Sequence, residues 1–206
     1  MGSRRAFLVS LGCGAALALP TLTKPAPAGA SIPASSLVVH PAEMPGFTAA
    51  RVKLRSAKSA SRYAKVVLGE RPREARGEIK RLKRKGFREG AQEFLSTLAG
   101  EALSLALVFR NARVAEHELT VSTAEDLKAQ GKATVERFTV PAIPGSAGFS
   151  AVEAGGPSAA ANVLFTTGRC FFVVGNSLAK ATPEQADSAP IAGASALYLR
   201  AKSLCS

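Results

Sequence analysis

The chain has 206 residues, 47% of them hydrophobic, with two Tyr and no Trp. That length and aliphatic content fit one packed domain plus a targeting segment and exclude a disordered chain. The formal net charge of +12 is concentrated, because residues 51–90 hold fifteen Lys/Arg against four acids.

The N-terminal Ser3-Arg4-Arg5-Ala6-Phe7-Leu8 resembles the twin-arginine export signal, whose pattern is Ser/Thr-Arg-Arg-x-Phe-Leu. A Gly/Ala-rich apolar run over residues 6–19, then Pro20, Lys24 and the small-x-small Ala28-Gly29-Ala30, complete a leader cleaved after Ala30. The run is short for a membrane-spanning helix. A general secretory signal containing Arg-Arg is the alternative, and either one sends the chain out of the cytoplasm to the envelope or medium. Cys13 does not suit lipid attachment, since Ser10 stands where a large aliphatic residue is needed. The expected division is a leader over 1–30, a linker over 31–34 and an exported domain over 35–206. Loss of Arg4, Arg5 and Lys24 with the leader leaves the domain at +9.

Residues 35–40 read as a first strand ended by Pro41, and Met44-Pro45-Gly46-Phe47 as a turn. Residues 51–55 alternate basic and apolar, as an edge strand protected by charge does. Residues 59–68 suit a helix with Tyr63, Val66 and Val67 inward. Over residues 73–85 the apolar positions Ala75, Ile79 and Leu82 are spaced by four and three, which marks a helix docked by one narrow face. Glu74 and Glu78 near its start, and Lys80, Arg81, Lys83, Arg84 and Lys85 near its end, complement the helix dipole. Gly86 fits the position just past its C-terminus.

Strands are expected over 87–94 and 102–109, the second apolar on both faces and therefore central in a sheet. Residues 111–130 read as a helix capped by Asn111, with Ser122-Thr123 a possible break. Strands follow over 133–140, 149–152, 162–166 and 170–174, the last two as a hairpin turning at Thr167-Gly168-Arg169. The Ala-rich segment 183–204 reads as helical, with Pro190 ending or kinking it. Hairpins with packing helices, and no regular βαβ alternation, predict a single α+β domain: a mostly antiparallel sheet with helices on one face.

Four short stretches carry a family likeness: Met44-Pro45-Gly46-Phe47, the basic helix closing on Lys85-Gly86-Phe87, the strand ending Val108-Phe109, and Ile143-Pro144-Gly145-Ser146 before a hairpin. Together they resemble exported small α+β proteins of actinobacteria, including lipoproteins and the extracellular sensor-type domains attached to Ser/Thr kinases. The likeness runs over most of residues 35–204 and implies an envelope-located binding or sensing module. No functional residue is carried over by it, and the kinase, membrane helix and lipid anchor of those proteins are not expected here.

Catalytic motifs are sparse. There are two His, His40 and His117. Glu116-His117-Glu118 lacks the second His four residues on that a zincin-type metal site needs, since Val121 stands there. Ser177-Leu178-Ala179-Lys180 matches the Ser-x-x-Lys nucleophile motif, but its Lys-Thr-Gly and Ser-x-Asn partners are missing. No nucleophile elbow, P-loop or dinucleotide fingerprint is present, so no metal or cofactor is expected and no enzyme. Cys170 and Cys205, the pair remaining after leader removal, are expected to form a disulfide in an oxidising compartment.

Three functions compete. The first is a non-enzymatic envelope module that binds a small ligand or an envelope protein between sheet and helices. The second is binding of anionic lipid or envelope polymer through the basic face of residues 51–88, with Lys80, Arg81, Lys83, Arg84, Lys85 and Arg88 as its cations; a merely solvated face is the rival reading of these residues. The third is an enzyme of unrecognised type. Nucleic acid is not expected, given export and few aromatic residues for stacking.

Overall fold

The computed structural model describes residues 32–52, 54–131, 133–152 and 158–205. The leader expected over residues 1–30 and Gly155-Gly156-Pro157 lie outside them. In chain order the elements are β1 (Thr48–Ala49), β2 (Arg55–Ala57), α1 (Ala60–Arg62, continued as a π-helical turn Tyr63–Val67), α2 (Pro72–Arg84), β3 (Glu89–Thr97) and β4 (Gly100–Val108). Then follow α3 (Ala112–Ala129), β5 (Thr134–Phe138), β6 (Ala147–Val152), β7 (Ser158–Thr167), β8 (Cys170–Ala179) and α4 (Pro183–Ala201). The eight strands form one sheet in the order β1-β3-β4-β8-β7-β6-β5, with β2 also on β3, and every pairing is antiparallel. The expected single-domain α+β fold is what the structure shows.

The strand predicted to be central is central, and its two-sided apolarity has a structural consequence. On β4, Ala102, Ala106 and Val108 join one core cluster, while Leu105 and Leu107 join another. On β8, Cys170, Phe172 and Val174 point one way and Phe171 and Val173 the other. The first cluster is covered by α4 and the N-terminal segment, and the second by α1, α2 and α3. Helices therefore cover both faces, where helices on one face were expected; an apolar central strand has no solvent side to present.

Residues 35–40 are not a strand. Ala34–Ser36 is a 3-10 turn, and Leu37, Val38 and Val39 are all buried. Three consecutive buried residues break the alternation of a one-faced strand. Val39 N–H donates to Ser104 Oγ at 2.9 Å, and Arg200 donates to the Val38 carbonyl at 2.7 Å, so the segment crosses a sheet face. Ala34 is buried and Ile32 packs on the same cluster, so packing begins inside the expected linker. Of the edge strand expected over 51–55, Arg55 opens β2, and Arg51, Val52 and Leu54 lie between β1 and β2 outside any strand.

Helix α1 buries Tyr63 and Val67 as expected but leaves Val66 49% exposed. Leu68 N–H bonds to the Tyr63 carbonyl at 3.0 Å, five residues back, and this wider π turn rotates Val66 out. Tyr63 lies directly on the sheet at Gly90, where a Cβ would come within 2.5 Å of its ring. Helix α2 follows prediction, with Ala75 and Leu82 fully buried and Gly86 at φ +65° past its end. Asn111 Oδ1 accepts from Val114 N–H and starts α3, which runs unbroken through Ser122-Thr123.

Helix α2 docks on α3 through charge as well as apolar contact. Glu118 of α3 is buried and receives Arg81 Nη1 at 2.5 and 2.7 Å and Lys85 Nζ at 2.5 Å. Arg81 also makes a two-pronged contact at 2.8 Å with the buried Glu78. Burial opposes the guanidinium's charge, but the Glu78 hydrogen bonds and the Glu118 carboxylate outweigh it and hold Arg81 protonated well above its ordinary range.

Pro190 does not end α4: the helix runs from Pro183 to Ala201 with Pro190 buried inside it. Proline removes the N–H that would serve the carbonyl of Ala186, four residues earlier. Asn176 of β8 serves it instead, donating Nδ2 to Ala186 O at 2.9 Å while its Oδ1 accepts from Ala161 N–H at 3.2 Å. At the other end of α4, the expected Cys170–Cys205 disulfide joins its C-terminal turn to β8, with Cα atoms 5.7 Å apart. Closing a loop of 35 residues contributes about 3–4 kcal/mol by chain entropy.

Two stability outcomes follow from these polar contacts. Asn176→Ala, which strands the Ala186 carbonyl and the Ala161 N–H, lowers unfolding free energy by about 2–3 kcal/mol in a denaturant titration. Pro190→Ala in the same background restores part of that loss by returning the helical N–H. Arg81→Ala leaves two buried carboxylates short of a partner and costs about 3 kcal/mol. Adding Glu118→Gln recovers a measurable part of it, whereas independent sites would give additive losses.

Candidate functional site

Two features on the α1–α3 side of the sheet present functional groups: the outer surface of α2 and a cleft beneath the C-terminal end of α3. The six cations expected to act together on α2 divide into two sets. Arg81 and Lys85 turn inward to Glu78 and Glu118 and are structural. Lys80, Lys83, Arg84 and Arg88 are exposed, as are Arg73 and Arg76 on the preceding turns. Glu118, beside His117 on α3, is the buried anchor of the inward set.

The cleft arises from a gradient of side-chain size across one sheet face. Pairing register places Gln92, Leu105, Val173 and Leu164 in one row across β3, β4, β8 and β7. The next row is Phe94, Leu103, Gly175 and Asn162, and the one after it Ser96, Glu101, Ser177 and Ala160. Bulky residues thus give way to Gly, Ser and Ala towards one end, while α3 continues overhead with Asp126, Ala129 and Gln130. The space left is a cleft of about 490 Å³. Asn162 lies across Gly175, where a Cβ would come within 1.9 Å of its Oδ1, so only glycine admits that side chain. Glu101, Ser177, Asn162 and Gln130 bring carboxylate, hydroxyl and amide groups to a lining whose remainder is largely Ala, Gly, Leu103 and Phe94. Such a mixture of apolar wall and few polar groups, at this volume, is the composition of small-molecule sites.

The residues examined for chemistry are dispersed. His117 is exposed on α3; His40 is exposed and its backbone N–H bonds to Glu43 at 2.7 Å. Among the described residues no group of three His, Cys, Asp or Glu could hold a metal ion. Ser177 and Lys180 sit at the end of a strand, three residues apart, with Lys180 in a left-handed turn at φ +55°. Strand alternation does not bring such a pair onto one face, as a helix would. Of the cleft residues the sequence singled out Ser177, in a Ser-x-x-Lys match; Gly175, Ser177 and Ala179 alternate as small residues on β8, but their alignment with Glu101 and Asn162 exists only through the strand register.

No helix among the described residues is long and apolar enough to cross a membrane. No protein-family model matches the chain, and no curated protein matches it. Among solved structures it is similar to the extracellular domain of PknH from Mycobacterium tuberculosis, with 9% identity and a TM-score of 0.45. The alignment covers 74% of this chain and 81% of that one. At that level of similarity no residue of the cleft or of α2 takes a role from it.

Proposed function

We propose that the chain is an exported, non-enzymatic binding or sensing module of the cell envelope that takes a small polar ligand in the cleft under α3. The cleft is the observation that carries this reading. A fully filled sheet–helix interface would have had no place for a ligand, whereas here about 490 Å³ stays open between well-packed rows and a helix end. Its polar groups suit recognition. The Asn162 and Gln130 amides donate and accept, Ser177 does both, and Glu101 accepts from an amine or hydroxyl. The twin-arginine-type leader supports placement outside the cytoplasm.

Thermal denaturation in the presence of amino acids, amino sugars and short peptides tests the reading. A compound bound at about a hundred times its Kd adds about 2.7 kcal/mol of stability and raises Tm by roughly 5–10 °C. Ser177→Phe, which fills the cleft floor from an exposed position, abolishes that shift. A shift that survives Ser177→Phe, or none with any of these classes, counts against the cleft as a ligand site.

A further inference from the structure

Arg73, Arg76, Lys80, Lys83 and Arg84 form one outward stripe on α2. At the helical increment they fall within an arc of about 100° and extend over about 16 Å. All five are exposed, and none has an acidic partner among the described residues. The acids of this helix, Glu74 and Glu78, lie to the other side, and Glu78 is consumed by Arg81. No carboxylate therefore interrupts the stripe. Helix α1 lies on the same sheet face: Tyr63 and Val67 share a core cluster with Leu82 of α2. With both buried sides turned to the sheet, both exposed sides point the same way. Arg62, Lys65 and the half-exposed Val66 thereby extend the α2 surface. Arg55 of β2 joins this surface, its Nη1 donating to the Val66 carbonyl at 3.4 Å.

We infer that this α1–α2 face docks peripherally on an anionic lipid bilayer. Cations alone would serve any polyanion, through a long-range term that reads charge and not chemistry. The aliphatic group among them, Val66, decides the partner. A hydrated anionic polymer gains nothing from Val66, whereas a bilayer surface takes basic groups at its headgroups and aliphatic ones at the acyl boundary. The π turn that rotates Val66 outward, and the network that draws Arg81 and Lys85 inward, together leave a face of this composition. The face is separate from the cleft and stands or falls independently of it.

Co-sedimentation of the processed chain, residues 31–206, with vesicles tests the inference. The wild type binds vesicles of phosphatidylglycerol and phosphatidylcholine, does not bind phosphatidylcholine alone, and is released by salt. Each stripe cation removed lowers binding about fivefold, so the triple variant Lys80→Gln, Lys83→Gln, Arg84→Gln loses about a hundredfold. Val66→Ser lowers vesicle binding about threefold or more and leaves binding to soluble polyphosphate unchanged. Lys128→Gln, exposed on α3, changes nothing. All these positions lie outside the ion network, and their unfolding midpoints verify folding. No preference for anionic vesicles, or binding that survives the triple variant, overturns the inference. Polyphosphate bound as tightly as vesicles, together with a silent Val66→Ser, also overturns it and assigns the face to a polymer.

Discussion

The buried carboxylate of Glu118 governs how the basic segment of this protein is displayed. An ionised group at that depth persists only with charged or hydrogen-bonding partners, and α2 supplies two, Arg81 and Lys85. Those partners fix the rotation of α2 about its own axis. With Arg81 and Lys85 inward beside Ala75 and Leu82, the remaining cations have one direction left, and it is outward. A segment that could have been a free basic arm is held instead as a rigid charged face. The same contact anchors the first half of α3, so the second half extends over the thinning end of the sheet and roofs the cleft. Both candidate surfaces thus depend on one desolvated ion cluster.

The opposite face is organised by a different polar exception. Helix α4 contains a proline that frees a carbonyl, and a sheet residue, Asn176, supplies the missing donor. Asn176 also receives the N–H of its neighbour Ala161 on β7, so one amide couples helix and ladder. With the Cys170–Cys205 bridge at the far end, α4 is fastened to β8 at two points. The rigid sheet that results presents its small-residue rows towards α3 without collapse, because the other side is close-packed against α4 by Phe165, Phe172 and Leu197.

Much of this was legible locally. The stripe Ala75, Ile79 and Leu82, the Asn111 cap, the Gly86 terminus and the two-sided apolarity of residues 102–109 each follow from one element's own spacing. The disulfide followed from the even cysteine pair left after the expected leader. The failures share a cause. Residues 35–40 looked like a strand because β-branched residues cluster there, yet a segment crossing a sheet face buries consecutive residues just as well. Pro190 looked like a helix end because its cost is real, and the compensation lies in Asn176, fourteen residues earlier in the chain. Val66 looked buried because α-helical spacing was assumed where the turn is π.

Charge content and the α+β class are properties of composition and of patterns within single elements, so they can be read along the chain. Which cations face solvent, and where the sheet leaves space, are not. Arg81 and Lys80 are adjacent and both basic, but only the approach of Glu118 from another helix distinguishes the structural one from the available one. Gly175 and Ser177 become a cleft floor only when register sets them beside Asn162 and Glu101 and α3 passes above. Those distinctions belong to pairings between segments distant in sequence, and tertiary contact is what settles them.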